Sequence, residues 1–268
     1  YILTPIVVNS LDQSDSKQVL DPKKLVRYIS SFIYYMGIYL FGRYLAPAFD
    51  YPSCVGGSGT CSSLAKYWPR LPLNPMMRIY MITQFAHHTY NTVYHSVAKK
   101  DMGNYFEMIT HHVGTMICIV LSYFSNIEDF SFLVLMLHDL SDSFLNLTRI
   151  TKLGKQSIWK SCLGALPMNV LWMTDRLYGM ATCFFVPMLT WTFSPSMLGS
   201  AESELWPHQR RIYSYITLNM MVIFVMNIIW QYEISSTTLK TLLKGSVKDW
   251  DINREASAKP KDAKTKGA

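Results

Sequence analysis

Charge is what this sequence has least of. Of its 268 residues only 16% are charged, while 50% are hydrophobic and 14% aromatic; an ordinary soluble domain carries roughly a quarter charged residues. The five cysteines (Cys54, Cys61, Cys118, Cys162, Cys183) include no CxxC pair, so their spacing reads as neither a metal nor a redox motif. Cys54 and Cys61 alone share a loop, flanking the Gly-rich VGGSGT, where a local disulfide would require a lumenal setting. There is no internal repeat. There is also no basic helix carrying base-stacking aromatics, so the net charge of +7 does not point to nucleic acid. His87, His88 and His95 suggest a metal site, but no HxxHH box exists, and one of the seven histidines, His208, falls in a loop. Too few remain to hold the two irons of a membrane hydroxylase or desaturase, and no metal is assigned.

What is abundant is apolar length. A stretch of about 20 apolar residues crosses a hydrocarbon layer, and the chain reads as six such spans at about 29–47, 75–97, 104–125, 129–150, 161–195 and 210–236. The expected fold is therefore an all-α integral membrane protein, with a segment at 1–28, a transmembrane domain at 29–236 and a basic tail at 237–268. The fifth stretch contains Pro167 and Pro187 and is expected to bend or to divide in two. Lys and Arg alternate between sides. Lys17, Lys23, Lys24 and Arg27, then Lys99 and Lys100, then Lys152, Lys155 and Lys160, then Lys240 and Lys244 share one side, assigned to the cytosol with both ends of the chain. Glu128, Asp129, Glu202 and Glu204 fall opposite, where Lys66, Arg70, Arg210 and Arg211 blur the contrast. From about Ser246 the tail lacks apolar periodicity and reads as disordered. Its Lys264 and Lys266 resemble a dilysine retrieval signal of the endoplasmic reticulum. Because the chain begins at Tyr1 and YILTPIVV is too short to span, an upstream segment, such as a further membrane helix, is expected.

Ionisable groups at bilayer depth are expensive and mark function. The third span, EMITHHVGTMICIVLSY, places Glu107, His111, Thr115 and Ser122 along one stripe. In the fourth, SFLVLMLHDLSDSFLNLTR, His138, Asp142, Asn146 and Arg149 share a face, and Asp139 lies about 100° around from His138. A short connection makes the two an antiparallel hairpin. At ~1.5 Å rise per residue, His111, Asp142 and His138 lie roughly 10, 12 and 18 Å from the cytosolic helix ends, so a catalytic cluster of His111, His112, His138, Asp139 and Asp142 can form in one pocket. Neutral imidazole there serves as a general base on an amine or as a nucleophile on a thioester, with a carboxylate to orient it. Candidate substrate-binding residues are Thr115, Ser122, Asn146, Arg176 and Trp230. Arg176 also reads as half of a buried pair with Asp175, and Trp230 as an interfacial anchor. The sequon Asn146-Leu147-Thr148 is discounted because it sits within a span.

From Lys99 to Ile150 the chain resembles the signature region of ceramide synthases, within the TLC domain family. The resemblance rests on a basic pair and Asp (Lys99, Lys100, Asp101), His111-His112, Ser122-Tyr123, Asn126, His138-Asp139 and Asp142. It continues more weakly over about 22–244 through YYMGIYLFGR, DRLYG around Arg176, and Asn227 to Trp230, departing at Asn227, where family members often carry His. The resemblance implies a ring of six transmembrane helices enclosing a cavity, in the endoplasmic reticulum membrane. It implies acyl transfer from acyl-CoA, as co-substrate without further cofactor, to the amine of a sphingoid base such as sphinganine. A His of the signature pair would be acylated; the stripe shared with Thr115 and Ser122 favours His111. Membrane lipid surrounds such a protein, and homo- or heterodimer formation with other ceramide synthase subunits stays open. The alternative is a non-catalytic TLC-domain protein that binds or senses lipid, which would have no reason to align His and Asp at one depth.

Overall fold

The computed structural model describes residues 22–48, 75–98, 104–125, 128–152, 158–186, 188–189 and 206–244. The Cys54 and Cys61 pair, Lys99 to Asp101, Asn126, the segment before Pro22 and the tail beyond Lys244 lie outside them. The described residues form six helices. They are α1 (Pro22–Leu45), ending in a 3₁₀ turn (Ala46–Ala48), α2 (Pro75–Ala98) and α3 (Tyr105–Phe124). Next come α4 (Glu128–Lys152), α5 (Ile158–Leu171, continued below) and α6 (Trp206–Lys244). Both α1 and α2 start on proline, whose fixed φ suits the first helical position and whose missing N–H has no partner there anyway.

Neighbour contacts run α1–α2–α3–α6–α5–α4 and return to α1, and α4 also touches α2 and α3. This inward position explains its burial: every residue from Ser131 to Asp139 is buried, whichever way it points. The α3–α4 hairpin is pinned by Ser131, whose hydroxyl donates to Ser122 Oγ at 2.6 Å, while Ser122 donates to the Ile119 carbonyl at 3.0 Å. Ser122 is thus a hairpin fastener.

The fifth stretch is one helical path that changes pitch. Pro167 lies inside α5, and from Trp172 the turns widen to π-helical geometry over Trp172–Gly179 and again over Ala181–Phe185. Such widening accommodates side chains that a regular helix would direct elsewhere, and it recurs at functional sites. Pro187 lies outside the described residues.

The surface inverts the usual soluble pattern. Ile82, Val93, Ile117, Leu163, Leu218 and Ile229 are 45–68% exposed, whereas His111, His138, Asp139, Arg176 and Asn227 are buried. Among the described residues, by length and composition, one helix, over Arg210–Leu243 with a mean hydropathy of 1.8, is apolar enough to cross a membrane. The other helices fall short of the six spans expected: α5 has only 14 residues before its turns widen, and α2 carries Gln84, His87, His88, Asn91 and His95 among its apolar residues.

Where α4 meets α5 the backbones touch. A Cβ on Gly164 would sit 2.7 Å from Thr148 Cα and 2.8 Å from its nitrogen, so only glycine permits this approach. Gly164→Ala should cost about 1–3 kcal/mol by overpacking and lower the thermal midpoint of the purified protein. Gly37→Ala, with nothing within 4 Å of the new methyl, should leave the midpoint unchanged or raise it.

Candidate functional site

Adjacent positions on a helix point about 100° apart, and the two signature histidines diverge accordingly. His111 packs edge-on against the Trp230 indole, ring centroids 5.3 Å apart, and its buried Nδ1 has no hydrogen-bond partner among the described residues. His112 turns to α2, its Nδ1 3.1 Å from His88 Nδ1 and its ring 5.3 Å from that of His95.

The same divergence separates His138 from Asp139. His138 Nδ1 lies 2.7 Å from the Val134 carbonyl, so it carries the proton and donates, while Nε2 faces Asn227 Nδ2 at 3.1 Å. Asp139 faces α2, where its Oδ2 accepts from Tyr80 Oη at 2.6 Å and Gln84 Nε2 at 2.7 Å. Among the described residues no carboxylate is hydrogen bonded to the ring of His111, His112 or His138. The expected imidazole–carboxylate pairing is therefore replaced by a backbone carbonyl and an amide.

Arg176 is 1% exposed. It forms an ion pair with Asp142, correcting the expected pairing with Asp175, which instead accepts from Thr174 Oγ1 at 2.9 Å. Neighbours on a helix point about 100° apart; Asp175 stays half-buried, and it is the buried Arg176 that reaches α4. Its Nε donates to Ser141 Oγ at 2.6 Å, and its terminal nitrogens donate to the His138 carbonyl at 3.2 Å and Asn227 Oδ1 at 3.4 Å. The guanidinium also stacks 3.8 Å over the Trp172 ring. Trp230 is buried, 8% exposed, which corrects its reading as an interfacial anchor. Its indole N–H donates to Glu107 Oε2 at 3.1 Å and its ring faces His111 and Trp172.

These groups line two neighbouring cavities that share part of their walls. An outer chamber of about 180 Å³ is lined by Lys24, Arg27 and Arg149 at its rim and by His95, His112, Asn146, Arg176 and Trp230 within. An inner chamber of about 30 Å³ is mainly apolar, lined by Cys118, Ile119, Val134, Leu135, Phe184 and Met220, with Thr115, His138 and Asp139. Tyr35, His111 and Asp142 belong to both. Thr115 spends its hydroxyl on the His111 carbonyl at 2.8 Å, and Asn146 donates to the Asp142 carbonyl at 2.8 Å. Ser122 lines neither chamber.

Sequence reasoning passed over Tyr80 and Gln84, Ser141, Trp172 and the role of Asn227. The first pair was findable, since polar residues four apart share a helix face. Among the described residues no group of three or more His, Cys, Asp or Glu is arranged to hold a metal ion.

The TLC domain matches residues 25–236 of the chain, and the protein belongs to that family. Within it, the chain is 23% identical over 167 residues to ceramide synthase LOH1 of Arabidopsis thaliana, covering 61% of this chain and 51% of that one. It is 25% identical over 263 residues to ceramide synthase 1 of Homo sapiens, covering 92% and 70%, and 25% identical over 175 residues to ceramide synthase LOH2 of Arabidopsis thaliana, covering 65% and 57%. The match thus spans about half the length of LOH1. No solved structure matches the chain.

Removing one member of a buried ion pair strands the other charge at a cost of about 3–5 kcal/mol. Arg176→Met should destabilise the protein by that order, and the double variant Arg176→Met/Asp142→Asn should regain part of the loss. Thermal unfolding of the purified variants checks both.

Proposed function

We propose that this protein is a ceramide synthase: a membrane-embedded acyltransferase that moves a fatty acyl group from acyl-CoA to the amine of a sphingoid base in the endoplasmic reticulum membrane. The observation that carries this reading is the position of His111 at the junction of a basic-rimmed polar chamber and an apolar one, its Nδ1 unpartnered. A thioester with a charged carrier on one side and a hydrocarbon tail on the other suits that junction.

Two routes are chemically open to His111. As a nucleophile, an imidazole nitrogen attacks the thioester carbonyl, the C–S bond breaks, and CoA leaves as the thiol with the proton the ring gives up. The amine then attacks the acyl-imidazole, the C–N bond to the ring breaks, and the ring accepts the amine's proton. As a general base, it takes that proton while the amine attacks the thioester directly, then gives it to the sulfur as the C–S bond breaks and CoA leaves as the thiol. In either route Asp142, at the same junction, offers an anionic partner to the ammonium form of the arriving base.

Further support comes from unmet hydrogen-bonding capacity. Asn104 Oδ1, His111 Nδ1, His112 Nε2 and Arg149 Nε are buried without partners among the described residues, and all four residues line the outer chamber. A polar occupant would supply what they lack. Lys24, Arg27 and Arg149 at the rim suit the phosphates of CoA, and they lie on the side that the Lys and Arg pattern assigns to the cytosol. The exposed apolar surface suits lipid, and both ends of the chain then face the cytosol.

The test is full-length protein in membranes lacking endogenous ceramide synthase, supplied with sphinganine and a panel of acyl-CoAs. The parent should form ceramide and reveal its preferred chain. His111→Ala at equal abundance should form none, while His112→Ala retains measurable turnover. An abundant, folded parent that makes no amide with any acyl-CoA would sink the enzyme reading. Separately, Arg149→Ala should raise KM for acyl-CoA about tenfold, equivalent to roughly 1.4 kcal/mol, with kcat little changed.

A further inference from the structure

Asn227 is fully buried in the middle of α6 and commits both ends of its amide to the site. Its Nδ2 faces His138 Nε2 at 3.1 Å and its Oδ1 faces an Arg176 terminal nitrogen at 3.4 Å. Its backbone carbonyl accepts from Trp172 Nε1 at 3.0 Å.

The orientation of this amide follows from chemistry. Arginine carries only donors, so the group facing Arg176 is the amide oxygen, and the group facing His138 is the NH₂. An NH₂ needs an acceptor, so His138 Nε2 is a bare lone pair. The opposite side of the ring gives the same answer independently, since the Val134 carbonyl at 2.7 Å needs a donor and Nδ1 must carry the proton. Both nitrogens of His138 are therefore committed.

We propose that Asn227 is a positioning residue that converts the fixed positive charge of Arg176 into a fixed neutral tautomer of His138, which withdraws His138 from proton transfer and leaves that task to His111. The surroundings agree from every side. Asp142 is held by Arg176 and Asp139 by Tyr80 and Gln84, so neither is hydrogen bonded to the His138 ring. Tyr35 of α1, His88 of α2, and His111 and Cys118 of α3 line the same inner chamber, and as neutral groups they add no anion. A proton on Nε2 would meet the donor face of the amide with Arg176 directly behind it. An asparagine cannot titrate, so it holds this arrangement whatever the pH.

The part of this inference that concerns the reaction rests on the acyl-transfer reading; the tautomer does not. Two measurements on the full-length protein in bilayers separate them. The first is nitrogen NMR of ¹⁵N-histidine-labelled protein, with His138 assigned through its backbone. The expected result is a protonated Nδ1 and an unprotonated Nε2 that do not titrate across the pH range of activity. A protonated Nε2, or a titrating ring, overturns the proposal whether or not the protein turns over. The second is the pH dependence of ceramide formation. Asn227→Asp keeps the shape but presents only acceptors, so it should draw a proton onto His138 Nε2, lower kcat and add an ionisation to the kcat profile, with KM for acyl-CoA little changed. Asn227→His, which can accept from Arg176 and donate to His138, should restore the parent profile. If Asn227→Asp folds and keeps the parent's profile and His138 signals, the proposal fails. If it does not fold, the parent's ring-nitrogen signals decide. A parent that makes no ceramide removes the acyl-transfer reading and leaves the tautomer to be decided by the same signals.

Discussion

A guanidinium with 1% of its surface exposed sets conditions that the surrounding helices must meet together. Moving a charge out of water costs several kcal/mol, recovered only when its hydrogen-bonding and Coulombic demands are filled. For Arg176 they are filled by Asp142, Ser141 and the His138 carbonyl on α4, Asn227 on α6 and the face of Trp172 on its own helix. The helix that carries Arg176 widens to π-helical turns at this place, over Trp172–Gly179. The consequences spread outward. The α4 turn from His138 to Asp142 is oriented, the His138 ring is fixed through Asn227, and Trp172 stands against Trp230, which seats His111.

The same economy explains why hydropathy alone picks out α6. On the inner face of its central stretch α6 contributes amides, Asn219, Asn227 and Gln231, which complete networks without carrying charge. α4 contributes Asp139, Asp142 and Arg149, and α2 contributes His87, His88 and His95. α2 and α6 also show apolar residues outward, whereas α4, packed against its neighbours, has no exposed residue among those described. A helix that lines a polar cavity is expected to look too polar when averaged around its circumference, because the average mixes two faces with opposite surroundings.

Periodicity made the polar faces of α3 and α4 legible, and with them His111, Asp142 and Asn146 at the cavity. It says which residues share a face, not what stands opposite. Shared depth groups Asp139 with the histidine cluster although it points about 100° away from His138, and its carboxylate belongs to Tyr80 and Gln84, 59 and 55 residues earlier in the chain. Arg176 was paired with its neighbour Asp175, although its partner lies on α4. Trp230 was read from its nearness to a span end, but α6 runs on to Lys244, so the indole sits well inside the helix. Asn227 stood out only as a departure from a resemblance. Its function depends on two side chains from different helices, which no pattern within α6 contains.

The division between satisfied and unsatisfied groups carries the last step. His138, Asp139, Asp142 and Arg176 have their partners within the protein, and this buried network is expensive to disturb. His111, His112 and Arg149 each retain a buried nitrogen, and Asn104 a buried oxygen, with no partner among the described residues, all four at the outer chamber. An unpaired buried polar atom costs about 1–3 kcal/mol, so a cluster of them around one cavity is a standing destabilisation beside a closed network. Such an arrangement persists where a bound molecule completes the hydrogen bonds, and it favours polar occupants over purely apolar ones. The rigid network holds the geometry, and the unsatisfied wall supplies the affinity. His111, touching both the unsatisfied chamber and the apolar one, is where a molecule with a polar head and a hydrocarbon tail would present the bond between them.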